Sequence, residues 1–288
     1  MDREACVGYR DLREFVARLE KEGELKRVRA EVDPVLEITE VAQRVARSKT
    51  RAAHSVGPAL LFEKPKGSKV PLLINTFGSV RRMELAFDVD KLDDVAARIQ
   101  GFLKMETPQG LFDKIKMLPK LAELGSFFPK SVKSGACREV IRKGADVNLL
   151  EFPILKCWPQ DGGRFITFPL VFTKNPETGK RNVGMYRMQV YDERTTGMHW
   201  QTQKHGAEHF RRARAANPEG KIAVAAAIGA DPATALAGML PIPPDLDEMM
   251  FSGFLRREPV EMVQCETCDL EVPANAEIIL EGYVNLGE

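Results

Sequence analysis

Residues 165–201 read FITFPLVFTKNPETGKRNVGMYRMQVYDERTTGMHWQ. Short runs rich in Phe, Val, Ile, Thr and Tyr alternate there with the turn segments NPETGKR (175–181) and DERTTG (192–197), the pattern of a β-meander. Downstream, KIAVAAAIG (221–229), PVEMVQC (259–265) and AEIILEGYV (276–284) read as further strands. Between them Asp231-Pro232 starts a short helix with proline at its first position, and DLDEMMFSGFL (245–255) reads as a helix capped by Asp245 or Asp247.

Upstream the texture differs. Leu12, Phe15, Val16 and Leu19 recur at helical spacing behind a capping Asp11, and Gly23 stops the helix. Asp33-Pro34 opens a second helical stretch through Val41 and Val45. Two strands follow, ALLFEKP (59–65) and VPLLINTFG (70–78), and then a helix over 90–105. Residues 106–135 carry several prolines and glycines and read as a connector with a helical piece around Phe112–Leu124. The expected fold class is α+β, with an N-terminal α/β domain over 1–120 and a mostly antiparallel β domain with helices over 121–288. The last strand runs almost to Glu288, so the chain reads as the N-terminal portion of something longer.

Composition narrows the function classes. The 288 residues are 44% hydrophobic and 29% charged, as in a soluble globular protein. Lys and Arg (42) nearly balance Asp and Glu (41), so no basic field points to nucleic acid and any anion must be held locally. The N-terminus lacks an apolar leader core and no apolar run reaches the length of a membrane span, which makes a cytoplasmic protein the expectation. Five scattered cysteines make no secreted disulfide framework. Cys265 and Cys268 form one C-x-x-C in a strand-and-turn context, without a second pair or a nearby histidine, and the structural reading is preferred there over redox or metal.

Three features carry chemistry. Arg187 sits at the centre of NVGMYRMQVY, where period-two alternation places it on one face with Met185 and Gln189; that face is either solvated or meets an anion. Gly184 permits a bulge that would let Asn182 and Arg187 converge. HWQTQKHGAEHF (199–210) holds three of the four histidines, and His205-Gly-Ala-Glu208-His209 matches the H-x-x-E-H lettering of a zinc peptidase class. The same segment also reads as a basic surface helix, with His209 on its exposed side. Asn182 and Glu248 are hard oxygen donors of the kind that hold Mg²⁺ or Mn²⁺ beside a phosphate.

DLREFVARLEKEGELKRV, ALLFEKPKG, INTFGSVRRM, PILKCWPQDGGRFITFPLVFTKNPETGKRNVGMYRMQVYD, IGADPA and DLEVPANAEIILEGY together closely resemble the UbiD family of prenylated-FMN-dependent decarboxylases. The resemblance runs over essentially the whole chain. It implies a flavin-binding split β-barrel after the N-terminal domain and a C-terminal oligomerisation domain absent from these residues. The family's N-x-x-x-x-R motif falls on Asn182, a Mn²⁺ ligand by resemblance, and on Arg187, which would contact both flavin and substrate carboxylate. Thr167, Met185 and Tyr186 would face the flavin. His199, Trp200, Gln201, Lys204 and His205 align with the segment that cradles it. Glu248 falls on the glutamate metal ligand. Gln203 stands where the family has a histidine, so the third metal contact is Gln203 or His205. K⁺ is a further ion candidate.

The implied activity is reversible, non-oxidative decarboxylation of an aromatic or α,β-unsaturated acid, with a polyprenyl-hydroxybenzoate of ubiquinone biosynthesis as one possible substrate. A flavin prenyltransferase would supply the cofactor, and the complete protein would be a homo-oligomer. The family's proton-donor segment follows the E-G-Y strand and lies beyond Glu288. Two rival readings remain, a zinc peptidase using His205, Glu208 and His209, and a truncated, non-catalytic cofactor-binding fragment.

Overall fold

The computed structural model describes residues 8–48, 56–103, 122–240, 242 and 247–287. Near the N-terminus, α1 (Leu12–Lys21) is capped by Asp11, which accepts from the Glu14 N–H, and Gly23 leaves it with φ of 75°. Strand β1 (Leu25–Val32) then pairs in parallel with β2 (Ala59–Pro65) through a crossover containing α2 (Glu37–Arg47). Strand β3 (Leu72–Ile74) completes a sheet of order β1-β2-β3. β1 was not expected. Its sequence LKRVRAEV buries only its two end residues, and its pairing with β2 rather than an apolar alternation makes it a strand.

Helix α3 (Val80–Phe87) was not expected either. Ser79 caps it by accepting from the Arg82 N–H, and Arg82 is fully buried with its guanidinium 2.9 Å from Glu24. Helix α4 (Leu92–Leu103) matches the reading of 90–105. The helical piece expected at Phe112–Leu124 and the alternative cap Asp245 lie largely outside the described residues, although 122–126 are helical.

The meander divides between two sheets. Strands β6 (Leu170–Lys174), β7 (Arg181–Met185), β10 (Lys221–Ile228) and β13 (Ile278–Asn285) form an antiparallel sheet of order β13-β10-β6-β7. Strands β5 (Arg164–Ile166), β8 (Met188–Val190) and β9 (Thr196–Met198) form a second, β5-β8-β9. A third joins β4 (Lys130–Val132), β11 (Glu261–Gln264) and β12 (Glu271–Pro273) in the order β12-β11-β4. FITFPLVFTK is therefore two strands. Pro169, which cannot donate to a ladder, lies in the gap. NVGMYRMQVY is also two strands, broken at Tyr186–Arg187, so Arg187 leaves the regular alternation with Met185 and Gln189.

The four-stranded sheet is covered on both faces. Phe172, Val183 and Ala225 pack against Met262, Val263 and Val272 of the third sheet, while Val171, Val224 and Ala226 pack against Ile166, Tyr186 and Met188. Helix α5 (His205–Ala216) contacts β6, β7 and β10, and α7 (Glu248–Arg256) contacts β7. Helix α6 (Pro232–Ala237), capped by Asp231 with proline at its start, packs Leu236 onto Phe15, Leu19 and Leu85 of the N-terminal unit. Among the described residues, no helix is long and apolar enough to cross a membrane.

Asp231 couples these layers. Oδ1 accepts from the Thr234 N–H at 3.1 Å, and Oδ2 meets Arg256 at 2.6 Å with side-chain exposures of 4% and 8%. Asp231→Ala removes a cap and leaves the buried Arg256 guanidinium with only the half-exposed Glu258 carboxylate at 3.8 Å, so urea denaturation is expected to show a loss of about 3–5 kcal/mol. A paired Asp231→Asn, Arg256→Met change should cost clearly less; equal costs would mean that the unpaired charge is not the cause.

Candidate functional site

The β6–β7 hairpin sets the register that builds the site. Counting outward from the turn, Lys174 pairs with Arg181 and Thr173 with Asn182. Direct cross-strand partners point to one face. Asn182 Nδ2 lies 3.4 Å from Thr173 Oγ1, which lies 2.9 Å from Nδ1 of His209 on α5. All three side chains are buried. The expectation that His209 is a surface residue is corrected here: α5 packs on β6 and β7, so the Thr173 hydroxyl reaches the ring. Burial, with His205 and Arg212 nearby, pushes its imidazole below the ordinary range, which favours the neutral form.

Glu248 arrives from the other side. β7 ends the four-stranded sheet, and the first turn of α7 docks there. Asp247 Oδ1 accepts from the N–H groups of Met249 and Met250, capping α7, while Oδ2 pairs with Arg181 at 2.7 Å. The residue before Glu248 is thereby tied to the residue before Asn182. Glu248 itself is buried, and its Oε2 has no hydrogen-bond partner. Burial pushes its carboxyl up to about 7, against backbone N–H groups of Glu248 and Val183 that favour the charged form. A desolvated carboxylate oxygen beside a buried amide is a set that a hard divalent cation fits.

The third side is the loop from the Tyr186–Arg187 break to α5. Tyr186 is buried, accepts from the Gly206 N–H at 3.2 Å, and meets Trp200 edge to face at 6.4 Å. A Cβ on Gly206 would lie 2.9 Å from Trp200 Nε1, so the close approach of helix and indole needs glycine. That indole N–H is buried without a partner. Arg187 is exposed with its guanidinium 4.9 Å over the Phe165 ring, and its carbonyl accepts from the His199 N–H at 3.1 Å. Thr167, His199, Gln201, Gln203, Lys204 and His205 are exposed, and Met185 is half-buried. Gln203 Nε2 lies 3.4 Å from Gln201 Oε1. Lys204, at the N-cap of α5, makes no side-chain cap bond, and of the first-turn N–H groups Tyr186 takes the Gly206 one, so the positive end of the helix is only partly satisfied beside this rim.

The peptidase reading does not survive this arrangement. His205 is exposed, His209 turns inward to Thr173, and Glu208 is engaged by Arg212 at 2.8 Å and by Arg211, which hold its carboxyl below the usual range. Among the described residues the three do not form a ligand cluster. Thr173, Arg181 and Asp247 were missed in the sequence. Hairpin pairing counted outward from NPETGKR would have found Thr173 opposite Asn182.

The family models for the 3-octaprenyl-4-hydroxybenzoate carboxy-lyase N-terminal domain and Rift-related domain match residues 16–99 and 130–288, and the chain belongs to the UbiD family. An uncharacterized protein of Archaeoglobus fulgidus is 52% identical over 282 residues, 98% of this chain and 56% of that protein. An evolved dimeric form of the UbiD-class enzyme HmfF from Pelotomaculum thermopropionicum, in complex with prFMN, is similar with a TM-score of 0.79 at 30% identity, covering 97% of this chain and 58% of that one. Vanillic acid decarboxylase from Sedimentibacter hydroxybenzoicus in its closed form gives 0.79 at 30% identity, covering 96% and 55%. The chain thus spans about half the length of these relatives.

The raised carboxyl of Glu248 has a thermodynamic signature. Between its ordinary 4.5 and about 7 the folded chain holds a proton that the unfolded chain releases, so without metal the stability falls as pH rises through that window. Glu248→Gln removes this penalty. In chelator, the variant should be more stable than the parent by on the order of 2–3 kcal/mol at about pH 8, with the gap closing near pH 4. If Glu248 is a ligand, Mn²⁺ should stabilise the parent only; a variant that gains as much from Mn²⁺ would rule Glu248 out as a metal ligand.

Proposed function

We propose that this chain forms the cofactor-binding part of a prenylated-FMN-dependent carboxy-lyase acting reversibly on an aromatic or α,β-unsaturated carboxylic acid. Family membership and the likeness to a prFMN-bound UbiD-class enzyme and to a vanillic acid decarboxylase support the class. The observation that carries the site is the buried, partnerless Oε2 of Glu248, on the helix start that Asp247 ties to Arg181, the residue before Asn182.

In this reading the sheets containing β5–β10 and β13 correspond to the family's split barrel. Asn182 and Glu248 hold Mn²⁺, with K⁺ as a second ion, and the remaining ligand comes from Gln203 or His205 on the exposed rim. Thr167, Met185, Tyr186 and Arg187 face the flavin. His199, Trp200, Gln201, Lys204 and His205 cradle it, with the positive N-terminus of α5 favouring its phosphate. The bound cofactor supplies the electron sink that loss of CO₂ from an sp² carbon requires.

Arg187 binds and orients the substrate carboxylate. Its guanidinium offers paired N–H donors to two carboxylate oxygens, and Phe165 beneath it restricts the plane in which they lie. Neutral His209 braces Thr173 and so fixes the Asn182 amide without adding charge. A flavin prenyltransferase supplies the cofactor, and the full-length protein acts as a cytoplasmic homo-oligomer.

In the full-length polypeptide loaded with cofactor, Arg187→Ala should lower CO₂ release from a panel of aromatic acids, vanillic acid included, by at least about a hundredfold while the flavin absorbance is kept. Unchanged turnover in a parent that shows activity would remove Arg187 from substrate binding. Mn²⁺ titrations of Gln203→Ala and His205→Ala identify the remaining ligand as the one whose loss weakens binding.

A further inference from the structure

The C-x-x-C pair takes no part in the flavin site, and the fold supplies what the sequence around it lacks. Cys265 directly follows β11, and its N–H bonds to the Leu270 carbonyl at 2.8 Å, while Gln264 Nε2 donates to the Cys268 carbonyl at 3.2 Å. These bonds close residues 265–270 into a compact turn. Above it stands Glu281 of β13, whose register partner on β10 is Ala225, in line with Phe172 and Val183. Glu281 therefore points to the face opposite Thr173 and Asn182, on the far side of the sheet from the flavin site.

The three side chains converge. Both sulfurs and a Glu281 carboxylate oxygen lie within 4.8 Å of one another, and among the described residues this is the one group of three or more such donors that could hold a metal ion. The carboxylate is already aimed. Oε1 accepts from the Glu266 N–H at 2.8 Å, and Oε2 accepts from the Thr267 N–H at 2.7 Å and the Thr267 hydroxyl at 2.6 Å. The turn is braced from outside by Arg138 and Lys143 on Glu266 and by Lys174 on Asp269. Cys265 is buried, Cys268 and Glu281 are half-buried, and the last two line an open depression of about 400 Å³ with Lys221, Thr267 and Tyr283.

We propose that Cys265, Cys268 and Glu281 form a second cation site, which takes a thiolate-preferring divalent ion, zinc foremost, and leaves one coordination position open to the depression. Two sulfurs and one carboxylate are a donor set that selects zinc over magnesium, calcium or manganese, which prefer oxygen. Three protein ligands with the fourth position open is the arrangement zinc takes where it meets an exchangeable ligand. The hydrogen bonds to Glu281 act as outer-shell supports, fixing the carboxylate before the ion arrives. On binding, each thiol gives its proton to solvent and each sulfur donates an electron pair to the ion. A dithiol–disulfide role is less well served, because this pair sits in a turn after a strand and not at a helix start.

Cobalt reports on this site directly. The full-length protein, kept reduced with a phosphine and stripped with chelator, should bind one Co²⁺ with a near-ultraviolet sulfur-to-cobalt band that Zn²⁺ abolishes. Cys268→Ser should lose the band with its circular dichroism unchanged. Glu281→Gln should weaken binding by about tenfold or more, and Cys137→Ser should leave it intact. As a check that needs no variant, Zn²⁺ should slow alkylation of Cys268 in the parent by about tenfold or more, and Mn²⁺ should not. Absence of the band in folded protein, persistence of the band in Cys268→Ser, or unprotected alkylation would each overturn the proposal. Because Mn²⁺ and flavin report on the other site, failure here leaves that reading standing.

Discussion

Asp247 carries two obligations at once. One carboxylate oxygen satisfies the first N–H groups of α7, and the other binds Arg181 at the end of the four-stranded sheet. A strand in that position presents unpaired backbone groups and needs covering. Here the cover is a helix start, and the interaction that fixes it also fixes the next residue in each chain segment. With Arg181 and Asp247 partnered, the Glu248 carboxyl meets the backbone N–H of Val183, the residue after Asn182. A further ion pair from Arg181 to Glu271 at 3.3 Å ties β12 to the same point.

The electrostatics follow from that placement. A buried carboxylate with one oxygen unpartnered is costly, and the nearby charges offset each other, since Asp247 opposes ionisation of Glu248 while Arg181 favours it. The environment thus raises the carboxyl to about 7, so that proton and charge are finely balanced there. A chain with formal net charge of +1 has no general field to attract an anionic cofactor. On the proposed reading, local devices would take that role: a cation held by Asn182 and Glu248, the N-terminus of α5, and Arg187 on the rim.

Elements whose signals are local were legible in the sequence. The Asp11 and Asp231 caps, the proline opening α6, and the strands at 221–228 and 278–285 appear where the pattern put them. What failed was decided by distant partners. LKRVRAEV is a strand because β2 lies beside it, and SVRRMELAF buries an arginine because Glu24 is there to meet it. The division of one meander between two sheets turns on the break at Tyr186–Arg187, where the residues look like ordinary strand formers. His209 was misplaced for the same reason, since a polar residue on a basic helix reads as exposed until the Thr173 hydroxyl opposite it is known.

The two metal-like motifs make the point most sharply. H-x-x-E-H has the lettering of a ligand set, and helical spacing alone would bring its histidines to one face. Packing sends His209 to Thr173, leaves His205 in solvent, and gives Glu208 to two arginines. C-x-x-C lacks a complete set within its own segment, and the missing donor comes from Glu281, on the second strand after Cys268 and brought back by the β10–β13 register. Spacing along the chain constrains which donors can share a helix face or a turn. Whether they share an ion depends on what else competes for each donor, because a carboxylate paired with two guanidiniums has little left to give, while one held by amides and a hydroxyl lies within reach of the sulfurs.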